Sequence, residues 1–332
     1  MKQKLIALAI ASALSAPAFA DNANVTVYGK AFLTIDQHDA GGTGSTSVMR
    51  VNTNASRFGV KGSDDLGDGL KGIFQYEVEM DADGNAGNGL GKTRNSGFGL
   101  EGDFGKVMLG IWDTPFKVAH NKIELFDNTT SWTSTLVIGR SAGKNYNTRQ
   151  KNMVQYWSPK VGGLQAAFMY SPDEAKTAAK NASIMSMSAT FEQDSIYAAA
   201  AYESRADVTV GTTDSAFRLT GKFDLADAWV GAMFENMKTN TSTTASVTGN
   251  NVELVGGIKL GAGSIAASYA KAGSTAATGA AANDVNQVAI KYAYKFSKRT
   301  EGFLAYASQK TNGATSVTAT TFGGRFPALV LS

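Results

Sequence analysis

Apolar and polar residues alternate with a period of two along most of this chain. Val25, Val27, Ala31, Leu33 and Ile35 share one parity, and Thr26, Tyr28, Lys30 and Thr34 the other. Phe74, Tyr76 and Val78 alternate with Gln75, Glu77 and Glu79, and Leu164, Ala166, Phe168 and Tyr170 form another stripe. Phe217, Leu219 and Phe223 oppose Arg218, Thr220 and Lys222. The clearest run sets Val288, Ile290, Tyr292, Tyr294 and Phe296 against Gln287, Lys291 and Lys295. Successive side chains of a strand point to opposite faces, so each run predicts a strand with one apolar and one polar face.

The connections alternate as well, in length. Short ones are predicted at Ser63–Gly69, Glu101–Gly105, Pro159–Gly163, Gln193-Asp194, Leu260–Gly263 and Ser297–Arg299. Longer stretches rich in Gly, Ser, Thr and Asn lie near 36–52, 81–93, 172–182, 205–214, 239–251 and 273–285. About sixteen strands result, which leaves about 20 residues for each strand and its connection. Short turns at one end, long loops at the other and an even strand count predict an all-β fold, a transmembrane antiparallel β-barrel. A soluble sandwich or solenoid would also alternate, but there is no fixed-period repeat, and a charged second face suits a water-filled lumen. Aromatic residues near strand ends, Trp112, Tyr156-Trp157, Tyr170, Trp229, Tyr292 and Tyr294, are expected at the headgroup level.

The first twenty residues carry a separate signal. Lys2 and Lys4 precede an apolar run from Leu5 to Leu14, and Pro17-Ala-Phe-Ala20 supplies the small residues that a signal peptidase reads. The apolar run is too short to span a bilayer, which needs ~20 residues. Residues 1–20 are therefore expected to be a cleaved signal peptide, and 21–332 the barrel. Cleavage removes two lysines and no acid, so the formal charge of +3 falls to +1.

Composition narrows the chemistry. The 332 residues include 36 glycines, 5 prolines, 2 histidines and no cysteine, with 18% charged residues. A charge this close to neutral argues against nucleic acid as partner. The absence of cysteine excludes disulfides, thiolate zinc sites and a cysteine nucleophile. Asp81-Ala-Asp-Gly-Asn85 has the start of a calcium loop, but Ala86 and Lys92 stand where an EF-hand needs Gly and Glu, so a turn is expected. Gly87-Asn-Gly-Leu-Gly91 has no following helix to aim at a phosphate. His120 beside Asp127 could suggest a hydrolase, yet nothing marks a nucleophile and both histidines fall in predicted loops. No enzyme, cofactor or metal site is expected.

One connection breaks the rhythm. From Asp113 to Arg149 there is no strand pattern, and the segment holds Asp113, Glu124 and Asp127 against Lys117, Lys122, Arg140, Lys144 and Arg149. Such a segment is either a large external loop or one folded inward to narrow the lumen, where facing charges would select permeants by sign and size. By parity Lys30, Arg57, Lys61 and Lys71 lie on the lumen side and are candidates for a basic wall. The acids Asp113, Glu124 and Asp127 are candidates for the opposing side, and Lys117, Arg140 and Arg149 complete the candidate constriction.

Several motifs in this order carry a resemblance: Val25-Thr-Val-Tyr-Gly29, Ser56-Arg-Phe-Gly-Val-Lys-Gly62, Asp65-Leu-Gly-Asp-Gly-Leu70, Asp113-Thr-Pro-Phe-Lys117, Tyr156-Trp-Ser-Pro159 and Lys298-Arg-Thr300. Across nearly the whole mature chain the sequence resembles the Gram-negative general porins. The resemblance implies a sixteen-stranded barrel, a homotrimer in the lipid of the outer membrane, and a third loop folded into the pore from Asp113. It also implies passive diffusion of ions and small hydrophilic solutes and insertion by the outer-membrane assembly machinery, while the slight positive balance of loop and wall residues suggests a mild anion preference. A barrel serving mainly as a surface adhesin or receptor is the alternative. Two departures stand out. Leu109-Gly-Ile-Trp112 lacks the arginine common after Leu-Gly in the family, and the chain ends Phe326-Pro-Ala-Leu-Val-Leu-Ser332 instead of in an aromatic residue. Pro327 cannot donate to a ladder and is expected to interrupt the closing strand.

Overall fold

The computed structural model describes residues 24–41, 44–84, 89–126, 133–275, 284–311 and 317–327. The expected signal peptide, Asp127 and Trp132 lie outside them. Sixteen antiparallel strands close into one barrel: β1 (Asn24–Asp39), β2 (Val48–Thr53 and Arg57–Gly67), β3 (Leu70–Met80), β4 (Leu90–Thr93 and Ser96–Gly102), β5 (Gly105–Asp113), β6 (Arg149–Trp157), β7 (Leu164–Ser171), β8 (Ile184–Gln193), β9 (Ile196–Ala206), β10 (Thr213–Asp224), β11 (Ala228–Asn240), β12 (Ser246–Leu260), β13 (Gly263–Thr275), β14 (Val285–Lys295), β15 (Glu301–Thr311) and β16 (Val317–Pro327). Each strand pairs with its sequence neighbours, and β1 closes the circle on β16 from Asp39↔Thr318 down to Lys30↔Pro327. Pro327 of β16 pairs with Lys30, and the stretch after it, where the interruption was expected, lies outside the described residues.

Two strands are interrupted, and side chains carry the hydrogen bonds across each gap. In β2, Ala55 takes φ 53°, Asn54 Nδ2 donates to Thr34 Oγ1 (2.8 Å), and Ser56 Oγ accepts from the Phe32 amide (2.8 Å) while donating to the Phe32 carbonyl (3.1 Å). In β4, the Arg94 amide donates to the Glu77 carbonyl (2.8 Å) and Ser96 Oγ accepts from the Glu77 amide (2.9 Å). The buried backbone groups are therefore satisfied although the ladder breaks.

Polarity is inverted relative to a water-soluble protein. On β14, Val288, Ile290 and Tyr292 are exposed, whereas Gln287, Ala289 and Ala293 are buried. On β11 and β12, Phe234, Val252 and Leu254 face out while Glu235, Asn251 and Glu253 face in. An outward apolar band and a polar interior suit a wall whose outer solvent is hydrocarbon. Among the described residues no helix is long and apolar enough to cross a membrane.

The structure corrects the sequence reading in three places. Strands extend into most of the long stretches read as loops, because beyond the apolar band the ladder continues with polar residues; Asn236 and Asn250, for example, pair across β11 and β12 (Nδ2 to Oδ1, 2.7 Å). For the same reason His38 belongs to β1 and not to a loop. Trp112, Trp157 and Trp229 do not join an outer aromatic girdle. Tyr156, Tyr170, Tyr292 and Tyr294 are exposed, but Trp157 follows Tyr156 and so faces the other way, where it meets Trp112 edge-on at 5.8 Å.

Candidate functional site

The described residues of the segment joining β5 to β6 include a short helix, α1 (Pro115–Val118), a 3-10 turn (Ser134–Leu136) and a hairpin, Arg140–Ser141 against Lys144–Asn145. Thr114 caps α1 by accepting from the Lys117 amide (3.1 Å), and Pro115 begins it with φ already helical.

This segment is bonded to side chains on the face opposite the outer apolar band. The Phe116 amide donates to Ser186 Oγ of β8 (3.0 Å), and Tyr197 Oη of β9 donates to the Ala119 carbonyl (3.0 Å). Arg218 of β10 donates to the Phe116 carbonyl (2.9 Å) and to Asn147 Oδ1 (2.9 Å), lies over the Phe116 ring at 4.1 Å, and pairs with Glu235 of β11 (2.7 Å). His120 is tied to Glu253 of β12, and the Gly139 amide donates to Glu235. Lys144 pairs with Asp214 (2.7 Å), and Arg205 of β9 reaches the Asn145 carbonyl (2.8 Å) and stacks on Tyr146, whose hydroxyl burial pushes up to about 12. Alanines at the inward positions make room for these contacts. Ala199, Ala201 and Ala216 pack with Phe116 and Tyr146, and Ala289, Ala293, Ala305 and Ala307 pack with Phe126.

Both ends of the segment meet a charged cluster. Arg149 Nε contacts Asp113 Oδ1 (3.1 Å) and donates to Asn95 Oδ1 (2.8 Å), while Lys117 Nζ pairs with the same Asp113 oxygen (2.7 Å). Burial lowers the Lys117 ammonium, and the Asp113 carboxylate only partly restores it. Alongside, Arg94 Nε pairs with Glu77 (2.7 Å), whose other oxygen accepts from Tyr28 (3.0 Å). Arg94, Glu77 and Arg57 are electrostatic neighbours of Arg149, and with Lys30 and Glu79 opposite Arg57 on the adjoining strands, five cations share this corner with three carboxylates. An excess of two positive charges in a confined, water-filled space attracts anions and repels cations.

The residues expected from sequence divide accordingly. Arg57, Asp113, Lys117 and Arg149 come together, and Lys30 stands directly opposite Arg57 on β1. Lys61 faces the same side farther down β2, opposite Thr26 and Gln75. Lys71 does not join them; it sits near the short-turn end opposite Asp65 and Glu101, about 25 Å along β3 from Glu79, the partner of Arg57. Arg140 is exposed and donates to the Thr135 carbonyl. Glu124 does not face the basic wall. Half-buried, it accepts from Thr133, Ser134 and the Phe126 amide, and desolvation with Glu253 nearby raises its carboxyl despite neighbouring His120. Asp127 lies outside the described residues. His120, weighed above as a base, is instead committed to Glu253. Sequence reasoning missed Glu77 and Arg94 as the core of the cluster, and Arg205, Glu235 and Glu253 as loop anchors. The available signal was a charge flanked by apolar residues within a strand, as in Phe234-Glu235 and Val252-Glu253-Leu254.

A family model described as Gram-negative porin matches residues 7–314. The chain belongs to the Gram-negative porin family. This porin is 33% identical over 187 residues to outer membrane porin protein 32 of Delftia acidovorans, a stretch that covers 53% of this chain and about half (51%) of that relative. It is 25% identical over 346 residues to the major outer membrane protein P.IB of Neisseria lactamica, covering 98% and 99% of the two chains. Among solved structures it is similar in fold to an anion-selective porin from Comamonas acidovorans, with TM-score 0.79 at 22% identity over 92% of this chain and all (100%) of that one. It is also similar in fold to Salmonella typhi OmpF in complex with daunomycin, with TM-score 0.69 at 17% identity, covering 93% and 99%. Family and barrel together place this porin in the outer membrane.

Proposed function

We propose that this porin is a water-filled channel through which ions and small hydrophilic solutes diffuse down their gradients, with a mild preference for anions. The observation that carries the reading is the corner where Lys30, Arg57, Arg94, Lys117 and Arg149 outnumber Glu77, Glu79 and Asp113. Its supports are the family and the fold shared with a porin described as anion-selective. The segment 114–148 narrows the lumen, because its bonds to inward side chains of β8 to β12 hold it against the wall and away from free solution. Residues 1–20 direct export and are removed, the outer-membrane assembly machinery inserts the barrel into lipid, and the working unit is a homotrimer. The test is a planar-bilayer recording under a salt gradient. Conductance steps in groups of three with a zero-current potential of anion-selective sign are expected. A cation-selective sign overturns the charge assignment, and silence from folded protein overturns the channel.

A further inference from the structure

Below the charged corner the lumen wall contains a cavity of about 370 Å³ that includes Lys61, Lys106, Trp112, Gln75 and Glu101 among its lining residues. Its volume lies at the lower end of the range for small-molecule sites, which limits an occupant to about one ring. Lys106 is set by aromatic residues: its Nζ lies 4.2 Å from the centroid of Trp157 and 5.8 Å from that of Trp112. Lys61 Nζ stands 5.7 Å over the Tyr28 ring. Among the described residues neither ammonium has a carboxylate within ion-pair distance, although most other inward cations on the page do. Glu101 at the same cavity leaves a local balance of one positive charge. Trp112 adds indole surface beside the Lys106 ammonium, and Trp157, edge-on to that indole at 5.8 Å, acts as the positioning residue for Lys106.

From this geometry we propose a wall subsite for small aromatic monocarboxylates, the carboxylate bound at the Lys106 ammonium, with Lys61 lining the same cavity, and the ring lying against Trp112. The proposal rests on the channel reading above and names one solute class that would dwell in it. A single carboxylate matches the balance of one charge. A ring gains offset or edge contact with indole that an acyclic acid does not, which corresponds to a preference of up to about tenfold.

The test uses the full-length trimer in a bilayer at fixed KCl, with benzoate, cyclohexanecarboxylate and acetate as blockers of the open-channel current. Each variant is normalised to its own KCl conductance. Benzoate is expected to half-block at a concentration severalfold below that of cyclohexanecarboxylate, and acetate to be weakest. W112L should raise the benzoate value about fivefold and bring the two cyclic acids together, W112F should keep the preference, and K106Q should weaken all three acids. Equal block by benzoate and cyclohexanecarboxylate in the wild type overturns the proposal, as does block indifferent to both W112L and K106Q. If W112L does not assemble, the wild-type ranking and W112F still decide. Absence of steps in KCl alone refutes the channel reading, whereas steps without ring-selective block refute only the subsite.

Discussion

Arg218 offers the sharpest test of how the long segment is held. Its side chain has no exposed surface, and it serves two loop acceptors, the Phe116 carbonyl and Asn147 Oδ1, while pairing with Glu235. Arg218→Leu removes those bonds and the stack on Phe116, and leaves a buried carboxylate without its cation. Breaking a buried pair in this way costs about 3–5 kcal/mol. Glu235 still accepts from the Gly139 amide and from Asn251 Nδ2 (2.6 Å), so the lower end of that range applies. At about 3 kcal/mol the ratio of released to seated loop rises roughly a hundredfold. Arg218→Lys keeps the charge but cannot serve a carboxylate and two carbonyl-type acceptors with one planar fork, so it should fall in between. The assay is single-channel recording, read as step size and open-channel noise. R218L should show larger or flickering steps, and R218L/E235Q, which removes the orphaned charge, should recover part of the wild-type behaviour. Steps and noise identical to wild type in R218L would mean that these bonds do not restrain the loop, and the reasoning would fail.

Three further outcomes are expected. A Cβ added at Gly231 would meet Ile123 Cγ2 at 2.6 Å and Val255 Cγ1 at 3.0 Å, so Gly231→Leu should cost about 1–3 kcal/mol and disturb the loop, seen as altered step size at unchanged yield of barrel. Because burial raises the Glu124 carboxyl, the protonated acid is the form the seated loop favours; seating should be strongest below the ordinary glutamate range and weaken as pH rises through the raised value. Glu124→Gln should flatten that dependence in noise recorded against pH, and an unchanged pH profile would contradict the assignment. Arg57→Glu and Arg149→Glu should each move the zero-current potential toward cations, with the double change moving it further; Lys71→Glu, placed near the short-turn end, should move it less.

Much of this porin could be read without coordinates. Parity assigned Val288, Ile290 and Tyr292 to one face and Gln287 to the other, as the barrel has them, because the period of a strand is a local property of the backbone. The turn at Gln193-Asp194, where Asp194 takes φ 51°, was equally legible. Strand ends were harder. Outside the hydrocarbon no apolar signal is required, so Ser, Thr and Asn prolong the ladders through segments that read as loops.

The amino-acid sequence by itself determined that the chain is a barrel with a polar interior and one irregular segment, and that Lys30, Arg57, Lys61 and Lys71 share the lumen parity. Only the tertiary structure decided which charges meet. Glu77 and Arg94 enter the cluster because the gap in β4 turns Arg94 onto β3, beside the start of β6. Glu124, which the sequence groups with Asp113, instead ends half-buried near His120 and Glu253. Trp112 and Trp157 meet around Lys106 although 45 positions separate them in the chain. Alternation reports on a residue's own strand, whereas these encounters depend on register between strands and on where the loop lies against the closed wall, and both are set by contacts distant in sequence.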